Sequence, residues 1–158
     1  MILKPKVYVE TSIPSYLTAW RSRDIVIAGN QETTKEWWDR RDDFELFISE
    51  FVLVEVASGA PEAAERRLAV LNGIPEIEIT AEVELIAQRL LSQASLPSRA
   101  RVDALHIASA AMGGMDYLLT WNCAHIANPA FRGRIETVIR SFGYEPPIIC
   151  TPLELLEI

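Results

Sequence analysis

The chain has 158 residues, of which 49% are hydrophobic and 23% are charged. This length and composition exclude a mainly disordered or low-complexity chain and indicate a single folded domain over residues 1–158. With 15 Lys and Arg against 22 Asp and Glu, the net charge is −7, which disfavours a protein that coats nucleic acid by neutralising many phosphates. A small nucleic-acid site is compatible with this charge, because metal ions and a few Arg residues can hold a phosphate locally.

The cysteines and the lengths of the apolar runs indicate the cellular compartment. Cys123 and Cys150 lack the spacing of zinc ligands, and two thiols fit a reducing cytosol. Residues 1–6 lack the apolar stretch of a signal peptide, and no apolar run approaches the roughly 18 residues of a membrane span. We therefore expect a cytoplasmic protein that does not enter a membrane.

The predicted elements alternate between short strands and helices. In the first half of the chain, the pattern predicts a strand at 7–9, a helix starting at 11–14, a loop at 21–29, a surface helix at 31–41, a strand at 44–48 and helices at 51–57 and 62–71. In the second half, it predicts a short strand at 77–79, helices at 81–94 and 99–112, a strand at 117–120, a helix at 135–142, a strand at 148–150 and a short helix from 151. This alternation is typical of an α/β fold whose central parallel sheet is covered by helices on both faces.

Two glutamates occupy positions where a solvated side chain is not the obvious expectation. Glu10 closes the first predicted strand, and ligands of open α/β sheets bind beyond the carboxyl ends of strands. Glu55 is the only charge in the apolar stretch 51–57, and a buried carboxylate without a partner costs several kcal/mol, roughly. Either residue has a structural alternative: Glu10 as the first polar residue of a loop, and Glu55 as an exposed position on an amphipathic helix.

Asp103 and Asn122 complete the set of candidate site residues. Asp103 lies near the start of a helix that is apolar nearly all round, which favours a ligand role over a helix-dipole role with Arg101 as its surface partner. Asn122 follows a strand, where it either binds a metal or water through its carbonyl oxygen or forms a turn. His106 lies three residues after Asp103 and could reach the site, but we favour a packed, hydrogen-bonded role for it. We expect His125 either to contact phosphate or to cap the next helix.

A parallel sheet gathers positions after its strands at one edge, so these carboxylates are expected to lie near one another. Oxygen-rich, histidine-poor clusters suit Mg²⁺ or Mn²⁺ better than zinc. Such an ion activates water and offsets charge on a phosphodiester, and it also relieves the repulsion between neighbouring carboxylates.

Four segments resemble, in the same order, the sequence motifs of PIN-domain proteins, and of VapC-like toxin ribonucleases in particular. They are VYVETSIPSYL (7–17), ISEFVLVEV (48–56), DALHIA (103–108) and LLTWNCAHIAN (118–128). The resemblance implies a PIN-like three-layer α/β/α fold with a central parallel sheet. It also implies a Mg²⁺- or Mn²⁺-dependent endoribonuclease that acts as the toxin of a type II toxin–antitoxin pair, binds an antitoxin protein and forms a homodimer.

Carried over by position, the resemblance assigns roles to individual residues. Glu10, Glu55 and Asp103 match the acids that hold the metal, and Asn122 falls where many members have a fourth acid. The implied catalytic set is Glu10, Glu55, Asp103 and Asn122, with Thr11, Ser12 and His125 in support.

Two departures from the family pattern keep an alternative open. Glu10 is one methylene longer than the usual Asp, and Asn122 is uncharged, so a two-metal site is weakened. The alternative is a catalytically weak PIN-like module that binds RNA or protein, with the acidic pocket receiving a cationic side chain of its partner. A third interpretation is a hydrolase of small phosphate esters, which shares the metal chemistry.

Overall fold

The computed structural model describes residues 3–157. Both ends of the predicted 1–158 domain and the start of segment 1–6 lie outside the described part, at residues 1, 2 and 158. Within this part the strands are β1 (Lys6–Val9), β2 (Glu45–Phe47), β3 (Tyr117–Leu119) and β4 (Ile148–Cys150). The α-helices are α1 (Ser12–Thr18), α2 (Ile25–Asp39), α3 (Glu50–Val56), α4 (Pro61–Leu71), α5 (Ala81–Gln93), α6 (Arg101–Met112), α7 (Pro129–Ser141) and α8 (Pro152–Leu155).

The four strands form one sheet in the order β2-β1-β3-β4, and all neighbouring strands are parallel. Val7 is in register with Leu46 on one side and with Tyr117 on the other, so β1 is a central strand. Its residues Val7, Tyr8 and Val9 are fully buried, as the continuous β-branched and aromatic run predicts for a strand covered on both faces. The predicted parallel sheet is therefore confirmed.

Helix α6 is the most deeply buried helix of the described chain. Its residues 104–111 are all buried, and it packs against α5, whose Ile86 and Leu90 are also buried. The expectation of a helix that is apolar nearly all round is confirmed. Because residues 104–111 of α6 are enclosed, a polar side chain in this stretch requires a specific partner.

The prediction of a loop over residues 21–29 is wrong for residues 25–29, which belong to α2. Helix α2 begins at Ile25, because the Asp24 carboxylate accepts hydrogen bonds from the backbone N–H groups of Val26 and Ile27 and caps the helix. Ile25 and Val26 are exposed, so their apolar character did not reveal a buried helical face. Farther along, Trp37 is fully buried, so this helix faces the core as well as the surface.

Two other predicted boundaries also differ from the structure. Residues 77–79 form no strand; a single parallel bridge joins Ile48 to Glu76 instead. Helix α7 starts at Pro129 rather than at residue 135, because the Asn128 side chain accepts from the N–H of Ala130 and caps it. Among residues 3–157, no helix combines the length and the apolar character needed to cross a bilayer.

Candidate metal centre

Glu10 lies directly beyond β1, at the carboxyl edge of the sheet. Its backbone N–H donates to the carbonyl of Leu119 (3.1 Å), and its side chain is nearly buried. Its carboxylate Oε1 accepts hydrogen bonds from Ser12 Oγ (2.5 Å) and Thr120 Oγ1 (2.6 Å), and its Oε2 accepts one from the N–H of Ser12 (3.2 Å). Three uncharged donors thus hold this carboxylate.

The two hydroxyl groups that hold Glu10 are themselves oriented by the backbone. Ser12 Oγ accepts from the N–H of Trp121 (2.8 Å), and Thr120 Oγ1 accepts from the N–H of Asn122 (2.9 Å). Each hydroxyl oxygen is occupied by an amide, so its own hydrogen points to Glu10. Ser12, at the start of α1, and the segment after β3 together fix the Glu10 carboxylate without supplying a positive charge.

Glu55 approaches from the last turn of α3. Its Oε1 accepts hydrogen bonds from Thr11 Oγ1 (2.6 Å) and His106 Nε2 (2.5 Å). Partial burial alone raises the pKa of this carboxyl, but the hydrogen bonds from His106 and Thr11 together lower it below its usual value. Glu55 is thus an ionised carboxylate at neutral pH. Thr11 and His106 are the partners that this partly buried carboxylate, the only charge in its apolar stretch, requires.

His106 is fully buried on α6, and both of its ring nitrogens are hydrogen-bonded. The second nitrogen, Nδ1, lies 2.7 Å from the hydroxyl of Tyr8. The expected packed role is confirmed, but sequence reasoning missed that His106 contacts Glu55. The available signal was its position three residues after Asp103, which places both side chains on one face of the helix.

Three of these side chains form a candidate cation site. A carboxylate oxygen of Glu10, a carboxylate oxygen of Glu55 and a ring nitrogen of His106 all lie within 4.8 Å of one another. Within residues 3–157, neither glutamate pairs with Lys or Arg. Two carboxylates held together without a cationic side chain fit a divalent ion, and a donor set dominated by oxygen suits Mg²⁺ or Mn²⁺.

Asp103 lies outside this group of three. Its Oδ2 is 2.8 Å from Nδ1 of His125, and both side chains are about four-fifths buried, with 18% and 17% exposed. Arg101, the alternative partner considered from the sequence, instead pairs with Glu84 (2.6 Å). Asp103 is therefore held by a histidine from the segment after β3.

Asn122 organises the turn that carries His125. Its Oδ1 accepts from the N–H of His125 (3.0 Å), and its carbonyl accepts from the N–H of Ala127 (2.8 Å). The helix that follows is capped by Asn128, so His125 does not have the capping role considered from the sequence. The observed contacts of Asn122 are those of a turn residue.

This is an α/β protein with a parallel sheet between helices, and a carboxylate cluster that could hold a divalent cation lies beyond the end of its central strand. The family model of the PIN domain matches residues 7–122, and the chain belongs to this family. The α/β/α fold implied by the resemblance is thereby confirmed. Proteins of this family are generally metal-dependent nucleases. No curated protein was found to match this chain.

Proposed function

We propose that this protein is a Mg²⁺- or Mn²⁺-dependent endoribonuclease, the toxin of a type II toxin–antitoxin pair, acting in the cytoplasm. The observation that carries the proposal is the pairing of Glu10 with Glu55 at the sheet edge, without a Lys or Arg partner among residues 3–157. Membership of the PIN family makes phosphodiester cleavage the chemistry that this pair would serve.

In this proposal the carboxylates bind the cation, and neighbouring hydroxyl groups orient the carboxylates. Glu10 and Glu55 supply carboxylate oxygens, while Ser12 and Thr11 orient one carboxylate each. A divalent cation, when bound, supplies activated water and offsets charge on the phosphodiester. Asp103 contributes the third carboxylate through Oδ1, which accepts no hydrogen bond within the described residues.

His125 and Asn122 have supporting roles in the proposed site. The turn at Asn122 places His125 against Asp103, so His125 fixes the direction of that carboxylate. Asn122 assists through this turn. A homodimer and an antitoxin partner are proposed on the sequence resemblance alone.

A second candidate function is a binding module with little catalysis. It is favoured by one observation: the position expected for a fourth acid holds Asn122, whose side-chain oxygen is engaged by His125. Such a module would bind RNA or a partner protein without needing a cation. Calorimetry with Mn²⁺ separates the two functions, because only the nuclease requires the ion.

The test is cleavage of a single-stranded RNA with Mn²⁺, with Mg²⁺ and with EDTA. We expect the wild type to cut with either ion, and EDTA, Glu55→Gln and Asp103→Asn each to abolish cleavage. Glu45→Gln is the matched control, since it removes one exposed carboxylate from β2 and should leave cleavage unchanged. Cleavage that persists in EDTA contradicts the proposal, and hydrolysis of a model phosphate ester without RNA cleavage indicates a small-molecule hydrolase.

A further inference from the structure

A buried chain of hydrogen bonds runs from the start of α3 to Glu55 in its last turn. Ser49 Oγ accepts from the N–H of Phe51 (3.2 Å) and lies 2.7 Å from the hydroxyl of Tyr8. That hydroxyl lies 2.7 Å from His106 Nδ1, and His106 Nε2 lies 2.5 Å from Glu55 Oε1. The chain thus connects α3, β1 and α6, and its three middle members are fully buried.

Counting hydrogens gives this chain one direction. Ser49 Oγ already accepts a backbone N–H, so its hydrogen is available to Tyr8. Tyr8 then donates its own hydrogen to Nδ1 of His106, which leaves the other ring hydrogen on Nε2, facing Glu55. In the opposite direction, the hydrogen of Ser49 finds no acceptor among the hydrogen bonds of residues 3–157, and an unsatisfied buried hydroxyl is unfavourable.

The acceptor at the end of the chain supports the same direction. A carboxylate oxygen only accepts hydrogen bonds, so the ring hydrogen of His106 that faces Glu55 lies on Nε2, and Nδ1 is the nitrogen that accepts from the hydroxyl of Tyr8.

We propose that Tyr8 and His106 are positioning residues for Glu55, and that the hydrogen-bond chain keeps His106 in the Nε2–H form that orients this carboxylate towards the cation. The proposal rests on the proposed metal-dependent function. It assigns His106 to the support of a ligand, although one of its nitrogens lies within the candidate cation site. Because Glu55 Oε1 already accepts from His106 and Thr11, its Oε2 is the oxygen left for the ion.

The ring tautomer of His106 tests the direction of the chain directly. The sequence contains two histidines, so a two-bond ¹H–¹⁵N spectrum of the labelled full-length protein has two imidazole patterns, which His125→Gln assigns. In the metal-free wild type we expect His106 to carry its hydrogen on Nε2. A hydrogen on Nδ1, or a doubly protonated ring, overturns the proposal, since either leaves Tyr8 as an acceptor.

Affinity for Mn²⁺ tests the positioning role. Tyr8→Phe removes one oxygen from the chain, and we expect it to weaken Mn²⁺ binding by roughly 10- to 100-fold, the range for residues that orient metal ligands. Tyr144→Phe is the matched control, because its hydroxyl donates to Glu82, outside the chain of hydrogen bonds. That variant should bind Mn²⁺ like the wild type.

Thermal unfolding of both variants separates positioning from simple stabilisation. A Tyr8→Phe variant that unfolds cooperatively and binds Mn²⁺ as tightly as the wild type overturns the positioning role and leaves the proposed function standing. A wild type that binds no Mn²⁺ overturns both. Ser49→Ala is the second variant, and it should weaken binding less than Tyr8→Phe, since the phenol remains in place.

Discussion

Two carboxylate–histidine pairs meet on one face of α6, and they differ in how firmly they are held. In the first, His106 is fully buried and both ring nitrogens are bonded, one to Glu55 and one to Tyr8. In the second, His125 is partly exposed, and among residues 3–157 its ring has one hydrogen-bond partner, Asp103, at Nδ1. The first pair has a fixed geometry suited to orienting a ligand. The histidine of the second pair is more accessible to solvent, and its ring has fewer hydrogen bonds among the described residues.

The largest effect is expected from the firmly held pair. Glu55→Gln removes a charge from the centre of the cluster, so Mn²⁺ affinity should fall by at least about 100-fold, beyond the range for residues that only orient ligands. Asp103→Asn should abolish cleavage with a smaller loss of affinity, because Asp103 lies outside the three-residue cluster. Titration calorimetry measures both losses. Equal losses of affinity would remove the distinction between the pairs.

Cation binding should also stabilise the fold. A ligand that binds only the native state at 100 times its Kd adds about 2.7 kcal/mol to the free energy of unfolding. We expect Mn²⁺ to raise the unfolding temperature of the wild type and not that of Glu10→Gln, which disrupts the carboxylate at the centre of the site. Differential scanning calorimetry with and without the ion measures the shift. A shift that Glu10→Gln retains would place the cation elsewhere.

Acid should destabilise the protein through Glu55. Partial burial opposes its ionisation, but His106 and Thr11 outweigh that effect, so the folded pKa lies below the usual value of 4.5. A lowered pKa contributes stability above the unfolded pKa, and this contribution disappears as pH falls through the folded pKa. Urea unfolding between about pH 6 and pH 3 should therefore show a smaller acid loss in Glu55→Gln than in the wild type. Identical acid losses would contradict the inferred hydrogen bonding.

The smallest effect on Mn²⁺ affinity is expected from substitution of His125, the histidine of the second pair. Because His125 fixes the direction of Asp103 in the proposed site, His125→Asn should weaken Mn²⁺ binding by about 3-fold, which corresponds to the modest energy of a partly exposed pair. Asp43, an exposed carboxylate beside Arg40, offers a control in Asp43→Asn, which should leave affinity unchanged. Tighter binding by His125→Asn would instead show that His125 competes with the cation for Asp103.

The sequence predicted much of the fold because the central strand and α6 are continuously apolar, and burial follows directly from that pattern. Glu10 was a candidate because it closes the first strand, and Glu55 because it is the only charge in an apolar stretch. The contact of His106 with Glu55 was not predicted, because these residues are 51 positions apart in the sequence and meet through the packing of α3 on α6. The start of α2 was missed because its first residues are apolar yet exposed.

The adjacent hydroxyls of Thr11 and Ser12 bind different acids, Thr11 to Glu55 and Ser12 to Glu10. This link lies beside the central strand, where Thr120 also holds Glu10 and His106 also holds Glu55. None of these four partners belongs to α4, α5 or α7, so substitutions on the outward faces of those helices should leave the spacing of the two carboxylates unchanged.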